Sequence, residues 1–350
     1  MKKVVVPDGG FKEIAVLRLS SLGDVVLTLP VVHALARAYP SARLHYWVKE
    51  EYAGVLRADP AIAHVRELER DASKLEDLVS MSAELEDCDL IVDLHASART
   101  RVLTFRQANL VLRMKTRRLE RERWVRARWT GPRPLPHVTR RYAEALAPIG
   151  VVPEGLPRVS VPAAAEDWAA RQLEGLLSGG ASHASASRII ALCPGARHAT
   201  KRWPEERWCA LDERLAGAGL ARIVLSTPAE QRAFPALAEH VAADPRARWF
   251  TEPLERVAAL LGRAAVAVTH DSGLMHLATA RGTRVVALFG STSPVLGFAP
   301  LGEGNAVLCR NLSCQPCTVH GRERCPRGHF RCMTTIEADE VFDLVRQRLP

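Results

Sequence analysis

Residues 264–294, AAVAVTHDSGLMHLATARGTRVVALFGSTSP, constrain the fold more than any other stretch of this 350-residue chain. Positions 264–269 form a short apolar run of the kind that makes a strand buried on both faces. Asp271 and Ser272 are helix N-cap residue types, and Leu274, Leu277, Ala278 and Arg281 follow at helical spacing. Gly282 suits a C-cap, and 284–289 is a second buried strand. The pattern predicts a strand–helix–strand unit. Its first turn aims free backbone N–H groups and a positive dipole end beyond the sheet, and the small-residue loop GSTSP at 290–294 leaves at the same edge. Such a pair of loops suits a nucleotide diphosphate; the alternative is an ordinary βαβ unit with a well-capped helix. Asp271 would repel a phosphate and suits a sugar hydroxyl better.

The same alternation runs through the rest of the chain. Strands are expected at 13–19, 44–48, 64–68 and 89–94, with helices at 24–38, 52–57, 73–86 and 140–149. Residues 151–163 are Pro-rich and read as a connection. A helix at 166–177 and the polar stretch SGGASHASAS at 178–187, expected to be flexible, precede a second series. That series has strands at 188–193 and 221–226, and helices at 204–215, 230–242 and 255–262. It ends in the opening unit and a helix at 338–349. Two such runs imply an α/β fold of two doubly wound parallel sheets, with ligands at the carboxyl ends of the strands. The expected division is a first domain at 1–163 and a linker helix and hinge at 164–187. A second domain follows at 188–337, with a Cys-rich segment at 309–332, and then a C-terminal helix at 338–350 packing across both domains.

Hydrophobic content of 47% with 25% charged residues fits a soluble globular protein. No apolar run reaches the ~18 residues of a membrane span, and the N-terminal apolar stretch is too short for a signal peptide. The expectation is a cytoplasmic protein with reduced thiols. The net charge of +9 is concentrated: residues 97–141 hold fourteen Arg or Lys against two acids, so the remainder is net negative. That local excess, interleaved with Trp124 and Trp129, points to an anion or an anionic surface.

No Gly-x-Gly-x-x-Gly fingerprint and no Walker loop is present. Three loops at strand ends carry the chemistry instead. The first, SSLGDVVLTLP, places Asp24 at a helix start, where it serves either as a cap or as a general base. The second, PGARHATKRWP, sets Arg197, His198, Lys201 and Arg202 ahead of a helix, a design for holding a diphosphate and its leaving charge. The third is the Asp271 turn.

Together these motifs, with VDLHASARTR at 92–101 and LSTPAEQ at 225–231, resemble the ADP-heptose:lipopolysaccharide heptosyltransferases of glycosyltransferase family nine, closer to the second type. The resemblance spans nearly the whole chain in order. It implies a GT-B architecture of two Rossmann-like domains facing a cleft, acceptor-binding first and nucleotide-sugar-binding second. It also implies an inverting transfer that needs no metal. By position, Asp24 matches the catalytic base and Lys201 the lysine that neutralises the donor phosphates. Glu230 matches the ribose-binding acid, and Asp271 the aspartate holding the donor sugar. Ser272, Gly273, Leu274, Met275 and His276 would cradle the diphosphate, with Gly195, Thr200, Ser291 and Thr292 completing the donor site. Arg18, Ser21, Gly23, His95, Arg99, Arg101, Arg117, Arg118 and Arg121 would meet the acceptor. The implied partners are an ADP-sugar, the Kdo-bearing lipid A inner core and the anionic cytoplasmic face of the inner membrane, where the protein would sit peripherally. The sequence departs from the family pattern at Ser226-Thr227, where glycines are expected, and at 96–98, where Ala-Ser-Ala replaces a Gly-Asn-Leu-like run.

Cys314, Cys317, Cys325 and Cys332 lie close together in sequence and pose two readings: a structural zinc or iron site, or reduced thiols without metal. Asp87-Cys88-Asp89 precedes a strand and reads as a surface turn. Competing functions are a GT-B transferase for another nucleotide sugar or acceptor and, from the basic patch, a nucleic-acid-binding protein. Nucleic acid is not an expected partner, because no binding motif accompanies the patch.

Overall fold

The computed structural model describes residues 6–69, 82–105, 107, 110–126, 134–177 and 189–350. The helix expected at 73–86 lies largely outside them, as do the stretch 178–187, Arg188 and Trp129. The chain divides into two compact units. One comprises Met1–Arg117 and Pro136–Ser160, the other Arg118–Leu135 and Val161–Pro350.

The first unit holds a parallel sheet of β1 (Glu13–Leu17), β2 (Arg43–Lys49), β3 (His64–Leu68), β4 (Leu90–Asp93) and β5 (Leu110–Arg113), in the order β3-β2-β1-β4-β5. β1 and β4 are buried along almost their whole length, as their unbroken apolar runs require. The strand order reverses between β1 and β4, so the loops leaving these two strands diverge and open a crevice at the switch point. Asp89 ends the turn before β4 by accepting the backbone N–H groups of Lys12 (2.7 Å) and Glu13 (3.1 Å), a structural role.

The second unit holds β6 (Ile189–Cys193), β7 (Ala221–Leu225), β8 (Ala247–Phe250), β9 (Val266–His270), β10 (Arg284–Phe289) and β11 (Ala306–Cys309). Their order, β11-β10-β9-β6-β7-β8, places the switch point between β6 and β9. One apolar cluster, including Trp203, Trp208, Leu211, Val268, Leu288 and Met333, fills the space beneath the helices. The C-terminal helix Ala338–Arg346 contributes Ala338, Val341 and Val345 to this same cluster. The helix Ala163–Leu177, expected as a linker, also belongs to this unit. Its Glu166 meets the guanidiniums of Arg263 and Arg281.

Two expected single helices are each divided. Residues 24–38 form Leu22–Leu27 and Leu29–Ala38, and residues 230–242 form Pro228–Arg232 and Pro235–Ala243. Pro30 and Pro235 sit just inside the second helix of each pair, where the ring cannot donate back to the preceding turn. The helix expected at 140–149 is α-helical over Val138–Ala143 and continues as a 3-10 helix, Glu144–Ile149, around Pro148. The helix expected at 52–57 lies earlier, at Glu50–Ala53. Strands β5, β8 and β11 were not expected; each has four residues and occupies a sheet edge. Among the described residues, no helix is long and apolar enough to cross a membrane.

Candidate active site

In the first unit, β1 ends at Leu17 and the chain passes through Arg18–Ser21 into the helix Leu22–Leu27. Asp24 lies in the first turn of that helix, where a carboxylate is favoured by the dipole. One of its oxygens accepts from Arg18 Nη2 at 2.6 Å and from Ser21 Oγ at 3.2 Å. The other accepts from the hydroxyl of Tyr142 at 2.6 Å. Arg18 also donates to the Leu94 carbonyl (2.8 Å), tying the end of β1 to the end of β4. On the β4 side, the Asp93 carboxylate accepts the backbone N–H groups of His95 (3.1 Å) and Ala96 (2.8 Å) and pairs with Arg113 (2.7 Å). This turn holds Ala96 at φ 51° and delivers His95 beside Arg18 and Asp24. Burial, aided by the Arg18 charge, lowers the His95 imidazole to about 4, so it is neutral at physiological pH. Gly23 is buried in the same helical turn.

The remaining acceptor candidates divide between the two units. Arg99 is half-buried near His95, whereas Arg101 is exposed. Arg117 lies 3.7 Å from Glu144 in the first unit, while Arg118 and Arg121 fall in the second. Arg118 pairs with Glu122 across one helical turn and is 81% exposed. Tyr142 was missed by the sequence reasoning: it is 118 residues from Asp24, and no local pattern marks it.

In the second unit, the loops after β6, β9 and β10 converge. Lys201 Nζ donates to Asp271 Oδ2 (2.7 Å) and to the Asp271 backbone carbonyl (3.0 Å), and Thr292 Oγ1 donates to the same carboxylate oxygen (2.7 Å). Burial alone would raise the Asp271 pKa. The adjacent Lys201 charge and the hydrogen bonds from Lys201 and Thr292 outweigh it and hold the group below its ordinary value. Thr200 and Ser291 hydroxyls meet at 2.9 Å, and Ser291 N–H donates to the Thr200 carbonyl (3.2 Å). Directly beyond, Ser272 occupies the N-cap position of the helix Gly273–Ala280, and its buried Oγ makes no cap bond and has no hydrogen-bond partner among the described residues. Leu274 is half-buried, and Met275 and His276 are buried.

Two further groups shape this site. His270 Nε2 accepts the backbone N–H of Trp203 (2.8 Å), and its Nδ1–H donates to the Gly195 carbonyl (3.3 Å). It therefore joins the β6 loop to β9 as a neutral ring, its pKa lowered by burial to about 4. His270 also escaped the sequence reasoning, although it immediately precedes Asp271. Glu230 forms a capping box with Thr227, accepting the Thr227 N–H at 2.9 Å. Its carboxylate also packs onto Gly195, where a Cβ would lie 2.2 Å from it. Glycine at 195 is thus what lets this carboxylate reach the β6 loop.

The Cys-rich segment braces the loops after β6 and β10. Gln315 donates to the carbonyls of Phe289, Gly290 and Thr292 (2.6–3.1 Å), and Arg322 N–H donates to Thr200 Oγ1 (2.8 Å). Cys314, Cys317, Cys325 and Cys332 line one small cavity with His329 and Phe330, and all are unbridged. Among the described residues, no group of three or more His, Cys, Asp or Glu is placed to hold a metal ion. Burial raises the thiols of Cys317 and Cys332, the latter to about 12. Cys88 and Cys193 are buried and Cys209 is half-buried.

Comparison with known proteins agrees with this arrangement. Residues 80–325 match the model of glycosyltransferase family 9 (heptosyltransferase). Lipopolysaccharide heptosyltransferase 1 of Pseudomonas aeruginosa is 26% identical over 368 residues, covering 96% of this chain and 92% of the relative. Among solved structures, a glycosyl transferase family 9 protein from Veillonella parvula superposes with a TM-score of 0.80 at 20% identity, covering 99% of each chain. ADP-heptose lps heptosyltransferase II of E. coli superposes with a TM-score of 0.70 at 21% identity, covering 96% of this chain and 98% of the other. Both types of heptosyltransferase are thus similar to the chain, and the fold is GT-B, two doubly wound α/β units. With a family model spanning well over half of its length and a relative matching it nearly end to end, this chain belongs to glycosyltransferase family 9, the heptosyltransferases, and is a glycosyltransferase.

Proposed function

We propose that the chain transfers a heptosyl group from ADP-heptose to the inner core of lipopolysaccharide, with inversion at the anomeric carbon. The observation that carries this reading is the Lys201–Asp271–Thr292 group beside the free N-terminus of Gly273–Ala280. A lysine has three N–H donors; two serve Asp271, and the third is available to a diphosphate oxygen. The Asp271 carboxylate suits donor-sugar hydroxyls, and Ser272 Oγ with the first helical N–H groups suits the phosphates. Glu230 is assigned to the nucleotide ribose, beside Gly195.

The chemistry then follows. The acceptor hydroxyl oxygen bonds to the anomeric carbon as the bond from that carbon to the diphosphate breaks. The proton passes to Asp24, and ADP leaves with the bonding electrons. Lys201 and the helix N-terminus meet the charge that develops, a role a divalent ion plays in other transferases. A carboxylate is far too weak a base to ionise a sugar hydroxyl in advance, so the proton moves as the new bond forms. Neutral His95 can both donate to and accept from acceptor hydroxyls. The acceptor is the phosphorylated, Kdo-bearing lipid A core, met at the cytoplasmic face of the inner membrane with help from the basic stretch 97–141.

Nucleotide preference separates this reading from a transferase for another sugar. ADP is expected to raise the melting temperature clearly, and UDP and GDP far less, since stabilisation follows the logarithm of ligand over Kd. A larger rise with UDP or GDP would sink the ADP-heptose assignment. Turnover of ADP-heptose on Kdo–lipid A, with and without the first heptose, identifies the acceptor. Reversing Arg117, Arg118 and Arg121 to Glu is expected to raise the acceptor KM about tenfold or more, because each lost contact to an anionic surface is worth ~1 kcal/mol. Donor Kd should not move; an equal loss of donor affinity would assign these residues a structural role.

A further inference from the structure

We propose that Tyr142 is a positioning residue for the transfer reaction: its hydroxyl, opposite Arg18, clamps Asp24 as an aimed carboxylate and sets its basicity. This inference rests on the reading of Asp24 as the general base. The helix Val138–Ala143 contributes Tyr142, whose side chain is fully buried and whose hydroxyl lies 2.6 Å from Asp24 Oδ1. Arg18 approaches Oδ2 at 2.6 Å, and its guanidinium sits 5.6 Å from the Tyr142 ring centroid. Donors on both oxygens fix the rotation of the carboxylate about its own axis, which Arg18 alone, on one oxygen, does not do.

The direction of each hydrogen bond is defined. Burial pushes the Tyr142 phenol well above its ordinary range, so it keeps its proton and donates. Arg18 stays charged at any working pH. Tyr142 is buried, so it acts on the acceptor only through Asp24. Among the described residues, groups facing this cluster include Tyr46 from β2, bonded to Thr28 Oγ1 at 2.6 Å, neutral His95 from the β4 loop, and Arg141 beside Tyr142. Tyr46 keeps its proton too, because burial also raises its pKa.

A donor to the ionised carboxylate lowers its pKa, so removing that donor raises it. Tyr142→Phe is therefore expected to move the acidic limb of the kcat/KM profile up by about one pH unit, the equivalent of one charge-assisted hydrogen bond. kcat at the optimum should fall about tenfold or more, with the donor KM unchanged. A residue that merely fills space would lower the melting temperature and leave the limb where it was. An unshifted limb in folded Tyr142→Phe overturns the proposal. If that variant does not fold, 3-fluorotyrosine placed at position 142 keeps the shape and strengthens the donor. The limb should then move down, and an unmoved limb overturns the proposal equally. Failure of the base assignment reads differently: Asp24→Ala would then turn over at near-normal rate. An inert Asp24→Ala with an unmoved limb in Tyr142→Phe sinks the clamp alone.

Discussion

Asp24→Ala is expected to lower kcat by about 10²–10⁴-fold, the usual range for a positioned general base, while ADP-sugar Kd stays within about twofold. The physical reason is a division of labour by unit. Asp24 belongs to the first unit and is bonded to Arg18, Ser21 and Tyr142, all of the same unit. The Lys201–Asp271–Thr292 group belongs to the second. On the proposed mechanism, removing the carboxylate deletes the proton's destination and leaves the diphosphate contacts alone. It also leaves the Arg18 guanidinium and the buried Tyr142 hydroxyl without their shared acceptor, so some loss of melting temperature is expected. Asp24→Asn, of equal shape, should be almost as inactive and less destabilised. Steady-state rates with calorimetric donor binding decide the matter: near-normal turnover in either variant would remove Asp24 from the mechanism.

Lys201→Met should be the more damaging change, because it acts on affinity, rate and stability together. Losing one preorganised donor to developing charge typically costs about 10²–10³ in kcat, and in the proposed reaction the same ammonium also contributes to ground-state phosphate binding. Stability falls for a separate reason. The Lys201 and Asp271 side chains are 14% and 12% exposed, so the substitution strands a nearly buried carboxylate, at a cost of about 3 kcal/mol. The pH dependence has a definite sign. Asp271 has a depressed pKa in the folded chain, so its contribution to stability is present above its ordinary pKa and lost as pH falls through the folded value. Without Lys201, burial dominates and the folded pKa rises. The acid-unfolding midpoint of Lys201→Met should therefore lie at higher pH than that of the unmodified chain. Adding Asp271→Leu should recover much of the stability and none of the activity. If the single substitution left both the midpoint and the donor Kd unchanged, the ion pair would have no part in the donor site.

The opening stretch shows how much could be read without coordinates. β9 and β10 lie where the apolar runs put them, and Ser272 stands at the N-cap position of the intervening helix, because burial on both faces and residue preference at a helix start are local properties. The loops that carry Gly195, Lys201, Asp271 and Thr292 were legible for the same reason: each follows a strand that announces itself. Breaks at Pro30 and Pro235 could have been anticipated, since the ring forbids the helical hydrogen bond irrespective of context. The short edge strands β5, β8 and β11 could not, because four residues at a sheet edge carry too little periodicity to register.

Other features depend on where distant segments meet. Nothing local links Tyr142 to Asp24, His270 to Trp203 and Gly195, or Gln315 to the carbonyls of the 289–292 loop. These are hydrogen bonds between buried groups far apart in sequence, and their existence follows from the strand order that sets each switch point beside particular loops. The cysteines make the same point in reverse. Their spacing invited a metal, yet spacing fixes only proximity along the chain. The folded loop is what brings the four thiols to one cavity, with His329 and Phe330 beside them. The sequence by itself determined the βα alternation, the identity of the strand-end loops and the residue types they carry, since those depend on local periodicity and side-chain chemistry. Only the tertiary structure decided which of those side chains hold one another, because a hydrogen bond needs its partners within about 3 Å and no sequence pattern measures that distance.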